Sequence, residues 1–281
     1  MQKILCPIDF SKTSLNALEF AARIGEKHHA TLTLLYIFTE EEHRVLLANK
    51  KDVSFEEWRL KTEEKLQHLI DEVKATSLKK GLRDCRFILK QGDLVKGIKE
   101  AVAESGAHLI VMGTTGVSDI TEAYVGSNTV QVIQKTTCPV LCVPEKASYK
   151  KIKKVVYATD YQEEDRRAIA QLLDFVAPFD AEVNVLHVTH RNRLFDQAIY
   201  EDFKRELKSY VNYHKLTFTV EVYEEEINLG IDRYMIDHGA ELLVLLTQER
   251  TFFEKLFTQS LSKRMSYFVD YPLLIYKSSS F

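Results

Sequence analysis

Three glycines and a run of small polar residues are the part of this chain best suited to chemistry. They are Gly113, Gly116 and Gly126, with Thr115 inside the spacing and Ser127, Asn128 and Thr129 directly after it. The apolar run from His108 to Met112 reads as a buried strand that stops at Gly113. Glycine at the exit of such a strand lets backbone N–H groups approach a ligand closely. A helix opening at Gly126-Ser127 adds unpaired amides and the positive end of a helix dipole. Together these features describe a cradle for an anion, phosphate above all. A surface loop followed by an ordinary helix cap has the same letters, so the stretch alone leaves both readings open.

A cradle needs a sheet to hold it. Lys3 to Ile8 is a short apolar run of the kind that a strand buried on both faces shows, and it ends in Asp9-Phe10-Ser11. Ser11 or Ser14 can cap a helix carrying Leu15, Leu18, Ala21, Ala22 and Ile24, which is followed by a second run from Leu32 to Phe38. Ser54 with Glu57 forms a capping box that opens a long helix with Leu60, Leu66, Leu69, Ile70 and Val73 as its apolar side. Arg86 to Leu89 predicts a third strand, stopped at Gly92-Asp93. A helix with Val95, Ile98 and Val102 on one face then closes at Gly106. With 108–112, a helix from Ser127 to about Lys135, and Pro139 to Val143, five strands alternate with four helices. That is a doubly wound α/β layer.

The same plan recurs. Ile4 to Phe10 matches Val155 to Tyr161 at an offset of 151, which also sets Leu35 on Leu186 and Ile37 on Val188. Further on the offset falls to 133. Gly97 then meets Gly230, Gly106-Ala107 meets Gly239-Ala240, and Pro139-Val140-Leu141 meets Pro272-Leu273-Leu274. The chain therefore reads as a tandem duplication of two α/β repeats, residues 1–146 and 152–281, each a five-stranded parallel sheet with flanking helices. At 281 residues it has room for two such domains. Eight of the ten glycines lie in the first half, and Gly113, Gly116 and Gly126 become Leu246, Glu249 and Gln259 in the second. A fold that tolerates those replacements has no need of the glycines, which points them toward a ligand in the first repeat and none of that kind in the second.

A net charge of −3 and the absence of a dense Lys/Arg cluster argue against nucleic-acid and membrane-surface partners. No apolar run approaches a membrane span, and no signal peptide opens the chain. The four cysteines include no Cys-x-x-Cys pair. Cys138 and Cys142, four apart on a strand, would be separated by about 13 Å, too far for a disulfide. Reduced thiols in a cytoplasmic protein are the expectation.

With these residues on the page, Gly113-x2-Gly116-x9-Gly126-Ser127 resembles the G-x2-G-x9-G-[S/T] motif of the ATP-binding universal stress proteins. Cys6 to Ser11 is similar to that family's opening strand and acidic turn, and Gly92-Asp93 to its third-strand exit. The resemblance covers both halves. It implies an adenine nucleotide, ATP or else ADP or AMP, with Mg2+, and a stress-response or regulatory role. It implies that Asp9 binds the base or its ribose edge and that Pro7, Ile8 and Ile37 line the base pocket. Met112 and Gly113 would run along the nucleoside, with Thr115 and Gly116 reaching phosphate. Gly126, Ser127, Asn128 and Thr129 would hold the phosphates through amides and hydroxyls. Asp9 as a plain helix-capping carboxylate and Met112 as plain strand packing are the competing readings. Family members pair through their last strands, so the resemblance also implies repeat–repeat pairing within the chain, or a homodimer.

Catalysis has less support. The stretch from Thr114 to Val125 holds no Lys or Arg to help a phosphoryl group, and no G-x-x-x-x-G-K-[ST] lysine occurs. Asp119 and Glu122 could hold Mg2+ or a water, but loop acids are commonly just solvated. His187, His190 and Asp160 could approach one another in the second half, yet two histidines three apart at a strand end need not share a face, and no metal is expected there. The sequence reads as a binding protein with hydrolysis incidental. A structural module that binds no nucleotide, and a slow ATPase, are the alternatives.

Overall fold

The computed structural model describes residues 1–38, 54–114, 127–190, 194–247 and 271–280. The described chain divides into two compact units, one from Met1 to Glu145 and the other from Lys146 onward.

In the first unit the elements run β1 (Lys3–Pro7), α1 (Lys12–His28), β2 (Thr31–Phe38), α2 (Phe55–Ser77), β3 (Asp84–Gln91), α3 (Leu94–Ser105), β4 (Leu109–Gly113), α4 (Ser127–Lys135) and β5 (Val140–Val143). All strand pairs are parallel and their order is β3-β2-β1-β4-β5. The chain winds to one side from β1 to β3 and then crosses to β4. A crevice therefore opens between the carboxyl ends of β1 and β4, where ligands of doubly wound sheets bind. Register places the two ends side by side. Ile4 faces Leu109 and Leu5 faces Ile110, so continuing the ladder brings Pro7 beside Met112 and Ile8 beside Gly113.

Local chemistry explains where the helices begin and end. Ser11 caps α1 by accepting the Ser14 N–H at 3.1 Å, and His29, with φ 50°, turns the chain out of it. Ser54 and Glu57 complete the capping box of α2 reciprocally, each bond 3.2 Å long. Asp93 accepts the Lys96 N–H at 2.8 Å to start α3, and Gly106 ends it at φ 64°. Two apolar assignments fail: Leu15 of α1 is 38 % exposed and Leu60 of α2 is 52 % exposed. The buried stripe of α2 is Thr62, Leu66, Ile70 and Val73. At 100° per residue Leu60 lies about 160° from Thr62, on the opposite face.

Above β2 lies an aromatic cluster. Tyr36, Phe38 and Leu66 are buried, with Phe10, Phe55, Trp58 and Phe87 packed against them. The Trp58 and Phe38 ring centres are 3.9 Å apart, and those of Phe10 and Tyr36 5.4 Å. Tyr36 and Phe38 point to this side, and Ile37, by the alternation of a strand, to the other.

The second unit repeats the plan: β6 (Lys154–Ala158), α5 (Asp165–Val176), β7 (Glu182–Thr189), α6 (Leu194–Tyr210), β8 (Leu216–Val222), α7 (Ile227–His238), β9 (Leu242–Thr247) and β10 (Leu273–Lys277). Its strands are again parallel, in the order β8-β7-β6-β9-β10. Two details of the duplication become physical here. A Cβ on Gly97 would lie 2.7 Å from Ile37 Cδ1, and one on Gly230 would lie 2.7 Å from Val188 Cγ1. The glycines that mark the repeat are therefore the small residues that let α3 and α7 settle on the second strand of each unit. In addition, Phe10 and Tyr161 both adopt φ 62°, a left-handed conformation costly for a bulky side chain. Each repeat turns from its first strand into its first helix through a strained aromatic.

Candidate functional site

The crevice of the first unit is built from three strand ends and two helix starts. Pro7 closes β1 half-buried, and Ile8 is buried with its N–H donating to the Leu35 carbonyl at 2.8 Å. Asp9 is exposed. Its Oδ1 accepts the Ser11 N–H at 2.9 Å, while its other oxygen has no partner among the described residues. The turn thus fixes the carboxylate's direction and leaves an acceptor at the mouth of the crevice. Ile37 is buried against Gly97, beneath the opening and away from the aromatic cluster.

Across the opening, Met112 is buried in β4 opposite Cys142, and Gly113 faces Val143. Gly113 is held tightly. A Cβ there would sit 2.6 Å from Thr13 Cγ2 and 3.0 Å from the Thr13 backbone carbon and oxygen, so the first turn of α1 lies directly against its α-carbon. Its carbonyl accepts the Thr129 hydroxyl at 3.1 Å. Thr129 is 2 % exposed. This differs from the expectation for that side chain: the hydroxyl that was to reach phosphate is spent on tying α4 to the end of β4. The amides of the first turn of α4, including that of exposed Asn128, stay available as donors at a helix N-terminus. Ser127 is the first residue of α4. Thr115, Gly116 and Gly126, with Asp119 and Glu122, lie outside the described residues.

The expectation that the fold can do without all three glycines is corrected at Gly113. Leu246 stands in its place in the second unit, but α5 begins at Asp165 rather than at Glu163, the counterpart of Lys12. The helix start that presses on Gly113 has moved back by two residues. Glu249 and Gln259 lie outside the described residues.

The second unit fills the corresponding strand end with its own polar network. Asp165, 1 % exposed, accepts the Tyr157 hydroxyl at 2.6 Å, the Thr159 hydroxyl at 2.5 Å and the Gln162 N–H at 2.9 Å. These three side chains replace Cys6, Ile8 and Ser14 of the first unit. Burial pushes the Asp165 carboxyl up to about 6 despite the three donors that favour its ionised form. His187 donates Nδ1–H to the Thr159 carbonyl at 2.8 Å and stacks on Tyr161, with ring centres 4.3 Å apart. His190 bonds the Tyr223 carbonyl at 3.3 Å. Among the described residues no three His, Cys, Asp or Glu side chains form a metal-binding group.

Four buried, unbridged cysteines complete the inventory of reactive groups. Burial raises the Cys85, Cys138 and Cys142 thiols to about 12 and Cys6 higher still, so none is a ready nucleophile. No helix of the described residues is long and apolar enough to cross a membrane.

Duplicated parallel sheets with a crevice at the point where strand order reverses define a tandem, doubly wound α/β protein. A model of the Universal stress protein family matches residues 1–144 and again residues 151–277. The chain belongs to the universal stress protein family. Similar proteins include universal stress protein YxiE of Bacillus subtilis, 28 % identical over 147 residues, covering 50 % of this chain and 97 % of the relative. Another is universal stress protein MJ0531 of Methanocaldococcus jannaschii, 30 % identical over 145 residues, covering 50 % of this chain and 81 % of the relative. Each of these corresponds to half of the chain. A universal stress protein from Archaeoglobus fulgidus shares the fold over 98 % of both chains, with a TM-score of 0.72 at 17 % identity.

Two predictions follow from the geometry. Thr129→Val, which removes the hydroxyl from Gly113 without changing shape, is expected to cost about 1 kcal/mol of first-unit stability, and Thr129→Ser to restore it. Urea denaturation followed by Trp58 fluorescence reads both. For Asp165 the folded carboxyl titrates near 6 against an ordinary value of 3.8. The folded state therefore holds the proton more tightly than the unfolded chain. The resulting stabilisation is full below about pH 4 and is lost as pH rises through 6, up to about 3 kcal/mol. Denaturation midpoints of wild type and Asp165→Asn at pH 5 and pH 7.5 should diverge in slope, with wild type gaining on acidification. Parallel profiles would exclude Asp165 as the titrating group.

Proposed function

We propose that the first unit binds an adenine nucleotide, ATP or else ADP or AMP with Mg2+, in the crevice between β1 and β4. The second unit lacks such a site, and the chain serves a stress-response or regulatory role by binding rather than turnover. The observation that carries this reading is the contrast between two copies of one fold. In the first, Ser11-Lys12-Thr13-Ser14 opens α1 without an acid, against Gly113 and near the α4 amides. In the second, the corresponding stretch Gln162-Glu163-Glu164-Asp165 carries three acids, the helix starts two residues later, and Leu246 replaces the glycine. Helix starts favour anions only where no carboxylate already occupies them.

The residues present fit the ligand. Asp9, oriented by Ser11, offers an acceptor to an exocyclic amine or a ribose hydroxyl, while Pro7, Ile8, Ile37 and Met112 supply the apolar floor a flat base needs. Gly113 with Thr115 and Gly116 would carry the chain past the nucleoside. Gly126, Ser127, Asn128 and the amide of Thr129 would receive the phosphates, with Mg2+ offsetting their charge. The Thr129 hydroxyl acts at one remove, by fixing where those amides stand.

We also infer that the second repeat serves as a docking partner for the first through β5 and β10, the last strand of each unit. The apolar sequences Val140-Leu141-Cys142-Val143 and Leu273-Leu274-Ile275 support this, as does the family resemblance. Four buried thiols without a bridge suit a reducing compartment such as the cytoplasm.

Isothermal titration of the full chain with ATP and Mg2+ tests the main proposal. A stoichiometry near one per chain is expected; two per chain would overturn the assignment of a single site, and no heat or thermal shift would overturn nucleotide binding altogether. For the docking proposal, sedimentation should give a monomer. A concentration-dependent dimer would place the pairing between chains.

A further inference from the structure

The strand-end and glycine residues account for how a nucleoside and its phosphates could be cradled by amides and one carboxylate. They supply no side-chain cation, although a triphosphate carries several negative charges. The first turn of α1 offers one.

Lys12 is the first residue of α1 and is exposed. It makes no ion pair or hydrogen bond among the described residues. Its neighbour Thr13 touches Gly113 through both its methyl group and its backbone. The Lys12 α-carbon is therefore one peptide, about 3.8 Å, from the residue in contact with the glycine strand end. An extended lysine spans about 6 Å from Cα to Nζ, enough to carry an ammonium over Gly113 toward the start of α4. Another cation, Lys65, lies 5.6 Å from the ring centre of Phe10, the residue after Asp9; the segment after Gly113 offers no competitor. Lys and Arg are absent from Thr114 to Val125, and α4 holds only Lys135, in its last turn.

The second repeat sharpens the point. Lys12 corresponds to Glu163, in the copy that has also lost Gly113 to Leu246. The position changes sign together with the loss of the glycine strand end.

We propose that Lys12 is a charge-selecting residue of the first unit's nucleotide site, pairing with the outer phosphates and setting the preference for a triphosphate over a monophosphate or nucleoside. This rests on the nucleotide-binding reading above and adds to it a residue outside the glycine motif. An ammonium paired with phosphate contributes in proportion to the ligand's charge and is screened by salt. It contributes nothing to adenosine.

The test is a titration series with adenosine, AMP, ADP and ATP plus Mg2+, at low and at high salt. The proteins are wild type, Lys12→Gln, Lys12→Arg, Lys12→Glu and, as a control for net charge, Lys27→Gln in the last turn of the same helix. Lys12→Gln is expected to weaken ATP roughly tenfold while leaving adenosine within about twofold, so that the ATP-to-adenosine ratio collapses. Lys12→Glu should weaken ATP further, Lys12→Arg should keep most of its affinity, and Lys27→Gln should behave as wild type. High salt should shrink the difference between wild type and Lys12→Gln. If wild type binds ATP but Lys12→Gln keeps the ratio, or if Lys27→Gln lowers it equally, the role of Lys12 is wrong while the nucleotide site stands. If wild type binds none of the four ligands, both fall.

Discussion

At the end of β4, one α-carbon lies so close to the first turn of α1 that a methyl group added to it would stand 2.6 Å from Thr13 Cγ2 and 3.0 Å from the Thr13 backbone. A side chain at this position would press on the Thr13 methyl and crowd its backbone, so glycine permits the closest approach of α1 to β4. Much of the first unit's crevice hangs on it. Because α1 can press against β4, its Ser11-capped start lies at the switch point between β1 and β4, and the Asp9 carboxylate is held there by the Ser11 amide. Because the carbonyl of the same glycine receives Thr129, the start of α4 is fixed to that spot as well. Two helix N-termini and a strand end are brought together through one residue without a side chain.

Divergence of the second repeat is coordinated rather than random. Where α5 starts two residues later, a leucine can replace the glycine. Where the residue after the first strand changes from Ile8 to Thr159 and Ser14 gives way to Asp165, Tyr157 supplies the third member, and a buried carboxylate takes three hydrogen bonds. Each of these changes alone would be destabilising: a hydroxyl buried without a partner, or a carboxylate buried without donors. Together they form a closed polar network at the place where the first repeat keeps an opening. The loss of the glycines and the gain of this network are two aspects of one conversion, from a crevice to a packed strand end.

Much of this was legible in the sequence because it is carried by local, periodic signals. The strands read as short apolar runs, Ser54 and Glu57 announced the start of α2, Gly106 announced the end of α3, and two fixed offsets revealed the duplication. What was not legible depends on contacts distant in sequence. The partner of Gly113 lies a hundred residues earlier, and nothing in the letters separates a glycine needed for a ligand from one needed for a neighbouring helix. Thr129 looked like a phosphate ligand because hydroxyls at helix starts often are; only its burial shows the bond to the Gly113 carbonyl. Leu60 departs from its expected face for a simpler reason. It is apolar and near a helix start, but the 3.6-residue period of the buried stripe excludes it. The Asp165 network could have been noticed from sequence, since the duplication aligns Ser14 with an acid, but its burial could not.

The placement of Trp58 carries one more consequence. It is the single tryptophan of the chain, and it packs against Phe38 and Tyr36 in the aromatic cluster above β2. Its emission therefore belongs to the first unit alone, while eleven of the thirteen tyrosines fall in residues 146–281. A far-ultraviolet signal averages over both repeats; indole emission does not. Two optical probes that fail to superimpose during unfolding would mean that the repeats come apart in separate steps, each with its own midpoint, rather than in one all-or-none transition. The duplication thus arrives with a built-in spectroscopic label on only one of its copies.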